Sequence, residues 1–384
     1  LFGHLRRTEI AAAVWPHSPK KSGYQMACKT IDRLMAEKSI LEKPNSLGQK
    51  SLILATKGVR RLANMDIVAN TGHDLSCGGS GFYHRTFGSC YLIDRASRQK
   101  CSVYGEYAIQ KDWSPLKVEY AMQKFKKYPI IQAVEHDLKP YFGDLSGSYK
   151  ICITFSDRKI PAEMIESAKK YDVIVAGSEW GKNFLATHNI PSVAIQQGID
   201  PLLFNKSRAT KQIYLDDFVV FSGCKFEFRK GQDVTINAFR VLQDRYPDVK
   251  LICAWANPYN NQNGLQMCQE AGLDMKNVIS LPVMANSYYS YVYQNTDIGV
   301  FPSRCEAGTN LVLMEYMACG KPVIATVGTG QADVVNESNG FKISAKPNIV
   351  IRENNDILNN WEEPDLDSVI ESLDYAYHNR SKIK

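Results

Sequence analysis

One uninterrupted stretch, Asp297 to Thr326 (DIGVFPSRCEAGTNLVLMEYMACGKPVIAT), constrains this chain more than any other. Ile298 to Phe301 is a short apolar run of the kind that forms a strand buried in a parallel sheet. Pro302 and Ser303 end it, and the loop Arg304-Cys305-Glu306-Ala307-Gly308-Thr309-Asn310 follows. A helix starts near Leu311 and stops at Gly320, because Lys321-Pro322 forbids continuation, and Pro322 to Ala325 reads as the next strand. A small, Gly-containing strand-to-helix loop lets the first amides of the helix meet a phosphate or sugar oxygen. Glu306 lies in that loop and Glu315 lies just over one turn into the helix. Two carboxylates beside an anion site cannot both bind phosphate; they suit the hydroxyls of a sugar or ribose, and the combination points to a nucleotide-sugar.

A second signal lies upstream. Phe218 to Ser222 reads as a strand, followed by Gly223-Cys224-Lys225-Phe226-Glu227-Phe228-Arg229-Lys230-Gly231 and a helix from Gln232 to Leu242. Between the two signals, strands at Val249–Trp255 and Val278–Leu281 alternate with helices at Asn263–Ala271 and Ser287–Gln294. This rhythm implies a doubly wound parallel sheet with ligands at the carboxyl ends of its strands.

Together these residues resemble the retaining glycosyltransferases with two facing Rossmann-like domains, the GT-B fold, and within them family 4. The family signature is Glu, seven residues, Glu, inside P-S-x-x-E-G-F-G-L-V-x-L-E-A-M-A-C-G-x-P-V-I-A. Leu311-Val312-Leu313-Met314-Glu315 and Met317-Ala318-Cys319-Gly320-Lys321-Pro322-Val323-Ile324-Ala325 match it closely. The first Glu departs: eight residues, 307–314, separate Glu306 from Glu315, and Gly308-Thr309-Asn310 replaces G-F-G. Either the loop carries one extra residue, or Ala307 holds the old position and Glu306 reaches round.

The resemblance implies roles. Glu306 would contact the transferred sugar and Glu315 the ribose. The upstream segment is similar to the family's G-R-L-x-x-x-K-G, with Lys225 standing for the usual Arg and Lys230 before the Gly; these cations and the amides of Gly308, Thr309, Asn310 and Leu311 would hold the diphosphate. Breaking the bond from sugar to phosphate leaves a diphosphate, so fixed cations aimed at that developing charge lower the barrier. Arg229 is an extra clamp or points to solvent, and Met284, in the loop after Leu281, takes the place beside the nucleotide base. Gly198-Ile199-Asp200 with Phe204 resembles the G-V-D-x-x-x-F that closes the acceptor domain, Asp200 being a hinge or a turn former. The implied enzyme is a hexosyl- or related glycosyltransferase. It would use a UDP- or GDP-sugar as donor and an unidentified acceptor, with no cofactor and no metal. Asp365-Leu366-Asp367 reads as a helix N-cap rather than a metal motif, because Val369, Ile370, Leu373 and Tyr377 follow at helical spacing.

The first 128 residues carry 21 Lys+Arg against 10 Asp+Glu, net +11, whereas the rest carries 25 against 30, net −5. Such asymmetry suggests a polyanion-facing module joined to a near-neutral enzyme. Helices after Thr8 and Ser22, then a hairpin around Asn45-Ser46-Leu47-Gly48, resemble a winged helix-turn-helix. Lys29, Arg33 and Lys50 would then face DNA; a helical capping domain with solvated lysines is the other reading. The competing function is accordingly a nucleic-acid-binding protein whose transferase domain is idle or directed to DNA.

The expected organisation is α/β: a GT-B-like pair of Rossmann-like domains, the first shortened or remodelled, after a small α+β winged-helix-like module. The segments are 1–66 (basic module), 67–148 (unassigned), 149–208 (acceptor side), 209–345 (nucleotide-sugar binding) and 346–384 (tail and helix). His73, Cys77, His84, Cys90 and Cys101 have no paired spacing and read as scattered rather than as a zinc site. Ten cysteines without paired spacing suggest reduced thiols in the cytoplasm, and the basic surface facing acidic lipid would make the protein peripheral to a membrane there. No run of about 18 apolar residues predicts a transmembrane helix, and LFGHLRRTEI is not a signal peptide. Starting at Leu1 rather than Met, the chain reads as compatible with a fragment.

Overall fold

The computed structural model describes residues 67–70, 101–104, 129–134, 137–140, 147–201, 203–207, 211, 213–256, 263–282, 284, 286–353 and 356–383. The expected winged helix, with Lys29, Arg33 and Lys50, lies outside these residues. The chain divides into one unit of residues 1–72, 86–133 and 142–151 and another of residues 73–85, 134–141 and 152–384.

In the first unit, β1 (Ile67–Asn70) pairs in parallel with both β2 (Cys101–Tyr104) and β3 (Pro129–Ala133). The parallel α/β pattern therefore extends into a region where the sequence offered no clear elements. The chain passes from the first unit into the second within β4 (Tyr149–Thr154), whose burial alternates through Lys150, Cys152 and Thr154.

The second unit continues with α1 (Ala162–Ala168), β5 (Val173–Ala176), α2 (Glu179–Ala186) and β6 (Val193–Ala194), β5 and β6 being parallel. Ser178 caps α2 by accepting from the Gly181 amide at 2.9 Å. Cys152, Ile160, Met164, Ile174, Leu185 and Ile190 form the core beneath these elements.

The rest of this unit is one parallel sheet in the order β12-β11-β10-β7-β8-β9. Its strands are β7 (Phe218–Lys225), β8 (Val249–Ala256), β9 (Val278–Ser280), β10 (Ile298–Phe301), β11 (Val323–Thr326) and β12 (Gly340–Ile343). Helices α3 (Gln232–Arg245), α4 (Gly264–Glu270), α5 (Asn286–Gln294) and α6 (Leu311–Ala318) connect them. Along β7, Phe218 and Val220 enter one core, while Val219 and Phe221 enter the other. That two-sided burial explains why the sequence showed continuous apolar runs instead of alternation. Burying one such side chain contributes about 1.5–3 kcal/mol.

Topology places the ligand edge. The chain runs outward from β7 to β8 and β9, then returns to lay β10 on the other side of β7. This reversal between β7 and β10 is the switch point at which the loops after two neighbouring strands diverge and leave a crevice. Both sequence motifs fall on those two loops.

A hairpin of β13 (Ala345–Glu353) and β14 (Asp356–Pro364), antiparallel and joined by two residues, occupies most of the stretch expected from sequence as a tail before the last helix. Asp365 then caps α7 (Leu366–His378), accepting from the Asp367 amide, as the spacing had implied. Among the described residues no helix is long and apolar enough to cross a membrane. Nor does any group of three or more His, Cys, Asp or Glu gather there for a metal.

Candidate functional site

The two loops at the switch point are built into each other. After β7 the chain makes a short turn, Phe228–Lys230, and Gly231 takes a left-handed conformation with φ +68° before α3 begins. A Cβ there would stand 2.0 Å from the Pro302 carbonyl oxygen, so only glycine allows the two loops to approach. The Arg304 amide donates to the Arg229 carbonyl at 2.7 Å, joining them again. Behind the second loop, the Glu306 amide donates to Thr329 Oγ1 at 3.0 Å, and the Gly330 amide donates to the Glu306 carbonyl at 2.8 Å. From the side of α2, Ser178 Oγ donates to the Ala307 carbonyl at 2.7 Å. The loop that carries Glu306 is therefore held by backbone contacts from several directions.

Within this frame Glu306 is 4 % exposed. Its Oε1 accepts from Lys230 Nζ at 2.6 Å, Ser303 Oγ at 2.8 Å and Asn310 Nδ2 at 3.0 Å, and its Oε2 accepts from Arg229 Nη1 at 3.0 Å. Burial works against the charge, but Lys230 and Arg229 together outweigh it and hold this carboxyl below the usual carboxylate range. Arg229 also bonds Asp157 through Nε at 2.9 Å and Glu227 through Nη2 at 2.6 Å. Burial opposes the guanidinium charge, and Glu306, Asp157 and Glu227 outweigh it, so Arg229 is kept protonated.

Asn310 joins the loop to α6. It lies at φ 58°, a conformation asparagine tolerates better than most residues, and its Oδ1 accepts from the Leu313 amide at 3.4 Å. The Cys224 thiol donates to the same oxygen at 3.4 Å, and burial pushes that thiol up to about 11. Gly308 is packed against the Phe155 ring, 3.1 Å from where a Cβ would be, and Thr309 is fully buried, its hydroxyl 2.9 Å from Met314 Sδ.

Glu315 is 6 % exposed on α6, and its Oε2 accepts from Tyr293 at 3.4 Å. Tyr289, on the same helix as Tyr293, has its hydroxyl pKa raised by burial first and by Glu315 after, while the Met284 backbone works the other way. The Met284 backbone thus lies within hydrogen-bond reach of the Tyr289 hydroxyl. Lys225 is exposed at the end of β7, and its carbonyl accepts from Gln232 Nε2 at 2.7 Å.

The structure thus brings Glu306, Lys230, Arg229 and Asn310 into one buried hydrogen-bonded cluster. Gly308, Thr309 and Leu311 flank it, and Lys225 stands exposed at the end of β7. Sequence reasoning missed Asp157, Glu227, Ser303 and Thr329. Ser303 and Glu227 lie inside the motif segments, whereas Asp157 follows β4 with no local signal linking it to Arg229. Asp200, weighed as hinge or turn former, accepts from the amides of Leu203 and Phe204 in a turn.

Comparison with known proteins agrees on this region. Residues 217–360 match the family of glycosyl transferases group 1. The D-inositol 3-phosphate glycosyltransferase of Paenarthrobacter aurescens (strain TC1) is 29% identical over 143 residues, which is 36% of this chain and 34% of that protein. The chain thus matches about a third of the length of this curated relative. Among solved structures, sucrose-phosphate synthase from Thermosynechococcus elongatus is similar with a TM-score of 0.61 at 16% identity, covering 83% of this chain and 91% of that one. The Anabaena protein HepE, crystallised with UDP and glucose, is similar with a TM-score of 0.55 at 14% identity, covering 83% and 92%. At these identities the likeness is one of fold, and the fold is the parallel α/β class of the GT-B glycosyltransferases.

Proposed function

From the premise that residues 217–360 belong to the glycosyl transferases group 1, we propose that the protein moves a sugar from a nucleotide-diphosphate-sugar donor to an acceptor with retention of anomeric configuration. The observation that carries this reading is the Lys230–Glu306 contact of 2.6 Å at the carboxyl ends of adjacent strands β7 and β10. A fixed cation and a fixed, ionised acceptor side by side suit a ligand that presents diphosphate to one and sugar hydroxyls to the other.

In this mechanism Lys230 and Lys225, with the amides at the start of α6, take the charge that develops on the departing diphosphate. Glu306 is an acceptor only; Oε1 already takes three donors, and the second lone pair of Oε2 suits a sugar hydroxyl. Glu315 accepts the ribose hydroxyls, and the loop at Met284 lies beside the base. The bond from the anomeric carbon to the diphosphate breaks, and the acceptor oxygen bonds the same face. The acceptor proton passes to the leaving diphosphate, so no side-chain nucleophile is required.

HepE has been crystallised with UDP-glucose, which makes UDP-sugars the first donors to try, GDP-sugars following. A donor that binds only the folded chain must raise its melting temperature. The expected result is a shift with one nucleotide-sugar and slow release of its nucleoside diphosphate. Absence of any shift across UDP- and GDP-sugars at millimolar concentration would sink the proposal.

A further inference from the structure

Arg229 commits four of its five guanidinium N–H donors to protein. Nε donates to Asp157 at 2.9 Å, Nη1 to the Cys305 carbonyl at 2.8 Å and to Glu306 at 3.0 Å, and Nη2 to Glu227 at 2.6 Å. Its side chain is 19 % exposed, while those of Asp157 and Glu306 are 8 % and 5 % exposed. Turning this fork toward a phosphate would break three ion pairs and the bond to the Cys305 carbonyl in a largely dry place. The planar group is pinned on two different edges, so it cannot rotate without losing Asp157, Glu306 or both. Asp157 is itself anchored, because its carbonyl accepts from the indole Nε1 of buried Trp361 at 2.8 Å.

We infer that Asp157 and Arg229 are positioning residues for the transfer reaction. Asp157 holds the guanidinium, and the guanidinium holds the Glu306 carboxylate in one orientation for the sugar. This rests on the glycosyl-transfer reading above and gives Arg229 a task other than clamping phosphate. Asp157 touches no ligand in this scheme and acts only through Arg229.

The charges around Glu306 set the readout. Lys230 and Arg229 face it directly, with Ser303 and Asn310 as neutral donors, while Asp157 and Glu227 stand behind Arg229. The nearby thiols of Cys224 and Cys305 stay neutral, since burial raises both. Removing the Arg229 charge leaves Lys230 as the one cation opposing burial, beside the neutral donors, so the Glu306 carboxyl should titrate at higher pH. Asp157→Asn changes two things of opposite sign: it loosens the guanidinium but also removes a nearby negative charge. Its readout is therefore kcat against KM rather than pH.

The experiment uses the full chain with UDP-glucose as probe donor, or whichever UDP- or GDP-sugar the wild type turns over. It compares wild type, Asp157→Asn, Asp157→Glu, Arg229→Gln and Arg229→Lys, each corrected for folded fraction. A small displacement of a reacting group costs up to about 100-fold in rate, so Asp157→Asn should lower kcat about 10- to 100-fold with KM within about 3-fold. Asp157→Glu and Arg229→Lys should recover part of that loss. Arg229→Gln should move the acid limb of kcat, and the carbon-13 titration of the Glu306 carboxyl, to higher pH. Variants whose activity merely follows folded protein, or a Glu306 titration unmoved in Arg229→Gln, would overturn the inference while leaving the transfer reading intact. A wild type that neither binds nor turns over any nucleotide-sugar would end both.

Discussion

Glu306 and Glu315 sit on the same loop-and-helix unit, and both are almost wholly out of solvent, at 4 % and 6 % exposure. Their surroundings nevertheless differ. Glu306 is ringed by two cations, a hydroxyl and an amide within 3.0 Å. Glu315 faces the aromatic side of α5, where the Tyr293 hydroxyl stands at 3.4 Å. Depth of burial therefore does not say what a carboxylate does; the donors around it do. The first is fixed in charge and direction before any ligand arrives. The second sits against phenol rings whose own pKa values are pushed up by burial and by its charge. In the proposed transfer reaction, one arrangement suits the reacting sugar, where a misplaced charge is costly. The other suits ribose, which must be gripped but does not react.

The contrast breaks most severely at Lys230. Replacing it with Ala should lower turnover on the order of 100- to 1,000-fold, the scale for removing one group that stabilises a departing or developing anion. Glu306 keeps Arg229 as a partner, so the protein should remain folded, although less stable. Lys225→Ala is the companion measurement, because Lys225 is exposed at the strand end and should cost turnover with little change in melting temperature. Equal stability losses in both variants, with activity following folded protein, would make these lysines structural.

That first test touches the residues the sequence displayed most openly. Strands β7, β8, β10 and β11 were legible because central parallel strands are continuous apolar runs bounded by Gly, Pro or Asn. Their helices follow with plain start and stop residues, as at Asn263, where the side chain caps α4, and Gly320, at φ +75°. The strands β1 and β2, four residues each, carried too little periodicity to stand out. The hairpin β13–β14 hid behind its polar residues, although Ile349, Ile351 and Ile357 hint at alternation. At the site, Lys230 was legible because it keeps the motif spacing, and Glu306 because it lies in the strand-to-helix loop, one residue off the family spacing. Asp157 was not, because an ion pair between segments distant in sequence leaves no local trace. Asn310 shows the intermediate case: it replaces a glycine of the family pattern, and its positive φ explains why that exchange is tolerated.

The other side of the comparison is sharpened by Glu315→Gln. A glutamine keeps the size and one acceptor oxygen but loses the charge that strengthens bonds from two ribose hydroxyls. The loss expected for hydrogen bonds to a charged group is about 1.5–3 kcal/mol, so donor affinity should fall roughly 10- to 150-fold by calorimetry. The carbon-13 titration of Glu306 should not move in this variant. Unchanged affinity in a normally folded protein would remove Glu315 from the ribose role, and a displaced Glu306 titration would mean the two carboxylates are one electrostatic unit.

The smallest expected effect is on stability against pH, and it isolates Glu306 without any ligand. Its carboxyl is lowered in the folded protein: burial raises it, but Lys230 and Arg229 prevail. A group whose folded pKa lies below its unfolded value contributes stability above the unfolded pKa, and that contribution fades as pH falls toward the folded one. The window therefore opens near the ordinary glutamate value of about 4.3 and extends to lower pH. Urea unfolding of the wild type should steepen in its loss of stability on entering that window. Glu306→Gln should be less stable than wild type at pH 7, because Lys230 and Arg229 lose a charged partner. Below the window the two proteins should converge, since the wild-type carboxyl is then neutral as well. Parallel curves from pH 7 to pH 3 would mean that the cations do not favour the ionised carboxylate, and the contrast with Glu315 would lose its electrostatic basis.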